Sequence, residues 1–135
     1  AVDIPVFGNG DVVTVDDAKK LLQVSGADGI LVGRGSYGRP WFLNQISHYL
    51  KTGKRLADPS IETQMEIVLG HYDAIVSHYG TKPGVKIARK HLGWYSKGLP
   101  NSAEFRQEVF QLDTPEAVKA RIRAFYHPIV ERLAA

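Results

Sequence analysis

The sequence predicts an α/β segment followed by an all-α segment. In the first third, two short apolar runs each end in a glycine-rich cluster and precede a helix pattern, which indicates consecutive βα units. Beyond residue 55, apolar residues recur at helical spacing only, which is typical of a helix bundle. These two patterns divide the chain into residues 1–55 and residues 56–135.

Composition narrows the classes of function. The chain has 135 residues, of which 44% are hydrophobic and 23% charged, as in globular proteins. It contains no cysteine, which excludes disulfides, thiolate metal sites and a cysteine nucleophile within these residues. Its five histidines lack metal-ligand spacing, so no metal is expected. The net charge of +3 is modest, and its distribution matters more than its size.

No apolar run approaches the roughly 18 residues needed to cross a bilayer, and no signal peptide opens the chain. We therefore expect a cytoplasmic protein with no membrane partner. The chain begins without methionine, and an apolar run lies only a few residues from its start. We expect an N-terminal portion to be missing.

The first segment is expected to contain a parallel strand pair. Residues 4–7 form the first predicted strand, and a turn-rich cluster follows at residues 8–11. Thr14 should cap a helix that ends at Gly26. Residues 29–32 form the second predicted strand, and the order strand, helix, strand implies a right-handed crossover. A second helix should begin at Pro40 and stop near residue 53.

Four helices are expected in the second segment, over residues 59–80, 85–96, 101–110 and 114–133. Residues 82–84, Lys-Pro-Gly, should form a loop. Asn101 with Glu104 resembles a capping box, and Pro128 should kink or split the last helix.

Two glycine-rich loops indicate a phosphate site. Gly8-Asn9-Gly10-Asp11 and Gly33-Arg34-Gly35-Ser36 each follow a predicted strand, where glycine lets the backbone approach an anion closely. Arg34 could add a charge-assisted hydrogen bond. Either loop alone is more often an ordinary tight turn, but two in consecutive βα units favour a phosphate-bearing cofactor.

These residues carry a family resemblance. The runs at residues 4–11, 26–35 and 38–41 resemble the end of the barrel in tRNA-dihydrouridine synthases, particularly the bacterial B-type branch. The resemblance implies the last two βα units of a TIM (β/α)₈ barrel followed by a four-helix bundle. It also implies an FMN enzyme that reduces uridine in tRNA to 5,6-dihydrouridine with electrons from NADPH.

The resemblance assigns cofactor residues by position. Asn9, Gly10, Asp11, Gly33 and Arg34 match the family's FMN-phosphate segment. The family's catalytic cysteine, and the lysine and histidine near the flavin, lie upstream of these residues. None of them maps onto this chain, so no catalytic residue is assigned and we expect the chain alone to be inactive.

A basic helix face indicates nucleic acid. Lys86, Lys90 and Lys97 should project to one side of a helix, with Arg89 at the edge, although solvated helix faces often look the same. Residues 86–95 are similar to a segment of the family's tRNA-binding helical domain.

From this similarity we expect Lys86, Arg89 and Lys90 to contact RNA. Trp94 and Tyr95 could stack on a base, but Tyr95 is better explained as a core residue.

Two other functions remain open at this stage. One is a stand-alone RNA-binding or recruitment module with a vestigial barrel remnant. The other is a different flavin barrel, such as a relative of dihydroorotate dehydrogenase, although a basic helical tail argues against it. Two βα units cannot close a barrel, so we expect residues 1–50 to pack irregularly, to pair with another copy through exposed strand edges, or to be poorly ordered. We also expect FMN to bind this chain weakly or not at all.

Overall fold

The computed structural model describes residues 2–135 and divides the chain into two compact units. The N-terminal unit is Ala1–Asp58, and the helical unit is Pro59–Ala135. Over residues 2–135, every helix is too short or too polar to cross a membrane.

The N-terminal unit contains a parallel pair of short strands with two helices. Its elements in order are β1 (Phe7–Asn9), α1 (Val15–Ser25), β2 (Gly29–Leu31), a 3₁₀ turn (Arg34–Ser36) and α2 (Phe42–Thr52). Phe7 lies opposite Gly29 and Asn9 lies opposite Leu31 in the parallel register. Because both strands run the same way, the loops that follow them meet at one edge of the sheet.

The position of the first strand was predicted incorrectly. The expectation of a buried strand over residues 4–7 is wrong, because β1 begins at Phe7 and both Ile4 and Val6 are exposed. The Val6 carbonyl accepts hydrogen bonds from the amides of Asp28 (2.8 Å) and Gly29 (3.3 Å). Val6 is therefore tied to the turn before β2, and strand pairing starts only after it.

Helix α1 has the predicted boundaries. The Thr14 hydroxyl accepts a hydrogen bond from the Asp17 amide (3.1 Å), and the Asp17 carboxylate accepts one from the Thr14 amide (2.8 Å). This reciprocal pair is a capping box. Gly26 ends the helix with a φ of 64°, a left-handed conformation that favours glycine.

Helix α2 begins two residues later than predicted, at Phe42, with Pro40 in the preceding turn. Phe42 and Ile46 from α2 are buried against Ala18 of α1 and Val12. Asp58 accepts hydrogen bonds from the Trp41 indole (3.1 Å) and the Gln45 amide (2.9 Å). The chain after α2 is thereby held against that helix.

The helical unit has a larger core than the N-terminal unit. Its helices are α3 (Ile61–Tyr79), α4 (Thr81–Ser96), α5 (Ser102–Val109) and α6 (Pro115–Ala134). Each contributes buried apolar side chains, and the rings of Phe105 and Phe125 stack with their centroids 4.2 Å apart. Burial of apolar surface is the main driving force for packing the four helices together.

The loop predicted at residues 82–84 is wrong, because those residues form the first turn of α4. Gly80 alone reverses the chain between α3 and α4, with φ 82° and ψ 165°, a region that is essentially restricted to glycine. Pro83 is tolerated in the first turn because its missing N–H has no partner there.

Two further helix starts differ from the sequence prediction. Ser60 caps α3 by accepting a hydrogen bond from the Thr63 amide (3.2 Å), so this helix begins at Ile61, two residues later than expected. Asn101 makes no capping hydrogen bond through its side chain and adopts a φ of 58°, so the capping box expected there is wrong. Helix α6 continues through Pro128 without splitting. Pro128 is exposed, so water can satisfy the carbonyl that its missing N–H leaves free.

Candidate functional site

The two glycine-rich loops line a cleft at the carboxyl edge of the strand pair. The cleft has a volume of about 560 Å³. We call it the phosphate cleft; its lining residues are Asn9, Asp11, Val12, Val13, Leu31, Gly33, Arg34, Gly35 and Tyr37. Four of the five predicted cofactor residues therefore come together, whereas Gly10 is not among the lining residues.

The backbone at this cleft is accessible where a phosphate would need it. Open space surrounds the position that a Cβ would occupy at Gly33, with no atom within 4 Å. The first N–H groups of the 3₁₀ turn Arg34–Ser36 have no acceptor inside the turn. These donors and the open backbone suit an oxyanion.

Arg34 and Asp11 bring opposite charges to the cleft. The Arg34 guanidinium lies 3.1 Å from the Asp11 carboxylate, and the two side chains are 82% and 91% exposed. A phosphate would attract Arg34 but would be repelled by the Asp11 carboxylate. Asp11 can therefore contribute its backbone N–H more readily than its side chain.

The N-terminus of α1 is already satisfied by the chain itself. The Asp17 carboxylate accepts hydrogen bonds from the amides of Val13 (3.1 Å) and Thr14 (2.8 Å). Its pKa is lowered mainly by hydrogen bonding with the Thr14 side chain, and then by these two backbone amides. The N–H groups of Val13 and Thr14 are consequently not available to an incoming anion.

Arg39 is a residue of this site that the sequence reasoning missed. Its Nε donates to the Gly35 carbonyl (2.8 Å), and its Nη2 donates to the Val13 carbonyl (2.5 Å). Its guanidinium also lies 4.1 Å from the centroid of the Phe42 ring. The signal available in the sequence was its place in residues 38–41, directly after the second glycine-rich loop.

A second polar cluster links the two helices of the N-terminal unit. Asp16 accepts hydrogen bonds from Arg55 (2.6 Å) and the Tyr49 hydroxyl (2.9 Å). The Arg55 hydrogen bond is the main reason that the pKa of Asp16 is lowered, followed by the Tyr49 hydrogen bond. This cluster lies outside the residues that line the phosphate cleft and has a structural role.

In the helical unit, α4 carries an unbalanced positive charge. Its sequence contains four lysine or arginine residues and no aspartate or glutamate. Lys82, Lys86 and Lys90 are exposed and four residues apart, so they follow one ridge of the helix at intervals of about 6 Å. We call these three residues the lysine ridge. Lys97, which was expected on the same face, lies beyond the end of α4 with a ψ of 126°.

Arg89 is held in an internal ion pair. Its guanidinium lies 3.0 Å from the Asp113 carboxylate and 3.4 Å from the Leu112 carbonyl, and its side chain is only 30% exposed. Arg89 thus fastens α4 to the segment before α6. Of the three predicted RNA contacts, the structure places Lys86 and Lys90 on the exposed ridge, and it places Arg89 in this ion pair.

Two cationic side chains on α6 are neutralised by ion pairs. Arg121 is ion-paired with Glu108, and Lys119 with Asp73 at 3.0 Å. Other exposed cationic side chains of this unit are Lys97, Arg123 and Arg132, whereas on α4 three exposed lysines follow one ridge.

An aromatic and imidazole cluster lies beside the ridge. The Lys90 ammonium is 5.9 Å from the centroid of the Trp94 ring. Tyr95 is buried, as predicted, and its hydroxyl lies 3.0 Å from Nδ1 of His71. Burial raises the pKa of Tyr95 to about 12. His71 in turn contacts the ring of His91 at a centroid distance of 4.9 Å.

Within residues 2–135, no group of three or more histidine, aspartate or glutamate side chains could hold a metal ion. The candidate residues predicted from the sequence lie mainly at the phosphate cleft and on the lysine ridge.

Comparison with known proteins gives a consistent result over nearly the full chain. The family model described as dihydrouridine synthase matches residues 1–129. A probable tRNA-dihydrouridine synthase of Rickettsia bellii is 57% identical over 132 residues, covering 98% of this chain and 40% of that protein. The tRNA-dihydrouridine synthase B of Pseudomonas syringae is 46% identical over 126 residues, covering 93% of this chain and 37% of that protein.

A third relative, the tRNA-dihydrouridine synthase B of Xanthomonas campestris, is 42% identical over 130 residues. The chain spans about 40% of the length of the curated relatives that it matches. The family resemblance noted from the glycine-rich loops is confirmed, and the chain belongs to the dihydrouridine synthase family.

Proposed function

We propose that this chain is part of a tRNA-dihydrouridine synthase, an enzyme that reduces uridine in tRNA to 5,6-dihydrouridine with FMN and NADPH. Residues 1–55 would supply the FMN-phosphate end of a TIM barrel, and residues 56–135 would supply a tRNA-binding helical bundle. The observation that carries the proposal is the family match over residues 1–129, which spans both glycine-rich loops and the lysine ridge. A cytoplasmic location is part of the proposal, since it would give the enzyme access to tRNA.

The phosphate cleft fits the phosphate end of FMN. Gly33 leaves its backbone open to the cleft, the 3₁₀ turn offers N–H donors, and Arg34 offers a guanidinium. We assign phosphate binding to Gly33 and Arg34, with Asn9 and Asp11 bordering the same group. Gly10 does not line the cleft and would act only through the turn that it forms between Asn9 and Asp11. When bound, FMN would supply the electrons for reduction of the uracil double bond.

The contribution of this chain to the chemistry is binding. The 135 residues contain no cysteine, so the cysteine expected from the family resemblance would have to come from residues outside them. We therefore propose that these residues anchor the cofactor phosphate and hold tRNA, and that proton transfer to the uracil occurs elsewhere in the enzyme.

The lysine ridge supports the tRNA part of the proposal. The three exposed lysines of the ridge repel one another, and α4 contains no acidic residue to offset this repulsion. Positive charge near the N-terminus of a helix is also not stabilised by the helix dipole. A phosphate backbone would offset that repulsion. Folded RNA is recognised largely through its phosphates and shape, for which such a surface is suited.

Binding of tRNA by the 135-residue chain, measured by fluorescence anisotropy over a salt series, tests this proposal. We expect Lys86→Ala/Lys90→Ala to weaken binding and to reduce the number of phosphate contacts in the salt slope by about two. Both positions are exposed within a helix, where alanine is favourable, so the fold should be kept.

Lys19→Ala/Lys20→Ala is the matched control. It removes the same charge from exposed positions on α1, and we expect a smaller loss of affinity with little change in slope. Equal losses in the two double variants would mean that only net charge matters and would contradict a tRNA site on α4. Binding of tRNA without any FMN binding by the complete enzyme would favour the RNA-binding module instead.

A further inference from the structure

We propose that Arg39 is a positioning residue that holds the two loops of the phosphate cleft in register without contacting the ligand itself. This inference rests on the proposed phosphate site. It separates the roles of two arginines that lie five residues apart: Arg34 faces the phosphate, and Arg39 shapes the cleft that receives it.

One guanidinium bonds both to the second loop and to the chain just after the first loop. Nε of Arg39 donates to the carbonyl of Gly35 in the second loop, and Nη2 donates to the carbonyl of Val13, which follows the first loop. Guanidinium donors have a fixed planar geometry, so two bonds from one group fix the relative position of their acceptors. The two loops are 22 residues apart in sequence and are joined here by a single side chain.

The Arg39 guanidinium is held against the hydrophobic core of the N-terminal unit. Arg39 lies 4.1 Å from the centroid of the Phe42 ring, and Phe42 is buried with 2% exposure among Val12, Ala18 and Ile46. A cation over an aromatic face is attracted to it. The position of the loops is therefore tied, through Arg39 and Phe42, to the packed interior.

The second loop also meets the chain just after the first loop directly. A Cβ on Gly35 would lie 2.0 Å from the carbonyl oxygen of Val12, so the backbones of the two loops are in close contact. A contact this tight requires accurate placement of both segments. Arg39 donates hydrogen bonds to Gly35 itself and to Val13, the residue after Val12.

Arg39 and Arg34 differ in the groups that their charges contact and in the exposure of their side chains. Carbonyl oxygens repel phosphate, and Arg39 engages two of them with a positive charge. Arg39 is half-buried and is absent from the residues that line the cleft, whereas Arg34 lines it and is 82% exposed. Of the two arginines, only Arg34 lines the cleft.

The test is an amide NMR comparison of the ¹⁵N-labelled 135-residue chain with Arg39→Gln, Arg39→Lys and Arg34→Gln. Without ligand, we expect Arg39→Gln to displace the amide signals of residues 10–14 and 33–36 together. Arg39→Lys should displace them less, because an ammonium retains the charge but not the planar fork. Arg34→Gln, as the control, should alter only the neighbourhood of the exposed pair with Asp11.

The same samples are then titrated with inorganic phosphate. We expect Arg39→Gln and Arg34→Gln each to weaken binding about tenfold, which corresponds to one charged hydrogen bond. Arg39→Lys should lie between wild type and Arg39→Gln. The decisive pattern is that Arg39→Gln, and not Arg34→Gln, displaces the amide signals of Thr14 and Ser36, which follow the two carbonyls that accept from Arg39, before any phosphate is added.

Undisturbed signals of residues 10–14 in Arg39→Gln would overturn the inference. If wild type binds no phosphate but Arg39→Gln still displaces both loops, the positioning role stands and the proposed phosphate site fails. If Arg39→Gln unfolds the N-terminal unit, Arg39→Lys decides: displacement of both loops supports the role, and displacement of residues 33–36 alone refutes it.

Discussion

At the residue scale, Asp11 and Arg34 set the charge of the phosphate cleft. They pair across the two loops while both side chains are largely exposed, so the pair itself adds little stability. The pair matters for a bound anion, which the Arg34 guanidinium attracts and the Asp11 carboxylate repels. The sequence placed both residues in the cofactor segment, and the structure gives their side chains opposite effects on phosphate.

We therefore predict that Asp11→Asn raises the affinity for inorganic phosphate by about threefold to tenfold, the range expected for removing one screened like charge. Arg34→Gln should lower it. Isothermal titration calorimetry at low ionic strength measures both. Weaker phosphate binding by Asp11→Asn would mean that the carboxylate itself organises the site, contrary to this assignment.

His71 and His91 make the stability of the helical unit sensitive to pH. Burial lowers the pKa of His71, and it lowers that of His91 together with the neighbouring His71 and Lys90 charges. The folded state therefore favours the neutral imidazoles. Their contribution is complete above the unfolded pKa of about 6.5 and is lost as pH falls below it towards the lowered folded values.

We expect the denaturation midpoint of the helical unit to fall as the pH is lowered below about 6.5, because the unfolded chain binds these protons more readily. Urea unfolding at several pH values measures this. His71→Gln should flatten the dependence, whereas His127→Gln, at an exposed position on α6, serves as the control. A pH dependence identical in wild type and His71→Gln would rule out the His71 contribution.

At the element scale, α3 and α4 approach each other closely through one glycine. A Cβ on Gly84 would lie 2.7 Å from Cα of Val76 on α3, which is backbone and cannot move away alone. Gly70 lies within α3, and no atom lies within 4 Å of the position that a Cβ on it would occupy. The two glycines therefore differ in physical role, although both lie in helices.

Alanine substitutions should consequently have opposite effects. We expect Gly84→Ala to lower the free energy of unfolding by about 1–3 kcal/mol through overpacking. Gly70→Ala should raise it by about 1 kcal/mol through helix propensity. Urea denaturation of the two variants measures the difference. Stabilisation by both substitutions would show that the approach of α3 and α4 is not as close as described.

At the scale of the whole molecule, the two units differ in how much core they have. Of the 18 buried apolar residues among those described, 14 lie in the helical unit. The N-terminal unit contributes Val12, Ala18, Phe42 and Ile46 to a small cluster. It also exposes Phe7 and Leu31 on its two strands, at 59% and 58%. Exposed apolar strands are prone to pair with other chains.

We predict faster hydrogen exchange in residues 1–50 than in the helical unit, and self-association of this chain through the N-terminal unit. Sedimentation over a concentration series should show larger species. Leu31→Lys/Leu43→Lys, which charges the apolar groove beside β2 and α2, should reduce them. Val24→Lys, at another exposed position, is the control. A monomer at all concentrations would contradict this prediction.

The boundary between local and tertiary control is clear from the caps and loops of both units. Thr14 and Gly26 could be predicted as caps because capping depends on residues within a turn of one another. The wrong predictions at residues 4–7 and 82–84 arose where a distant partner decided. Val6 is fixed by the turn before β2, and Gly84 is fixed by its contact with α3.

By itself, the sequence determined the order of α/β and all-α segments, both glycine-rich loops and the family. These depend on local periodicity, on turn chemistry and on the run of residues along the chain. The tertiary structure alone decided what each arginine does: Arg34 faces the cleft, Arg39 bonds to two loops and Arg89 pairs with Asp113. The three side chains have the same chemistry, and only the partners that folding brings within hydrogen-bond distance distinguish their roles.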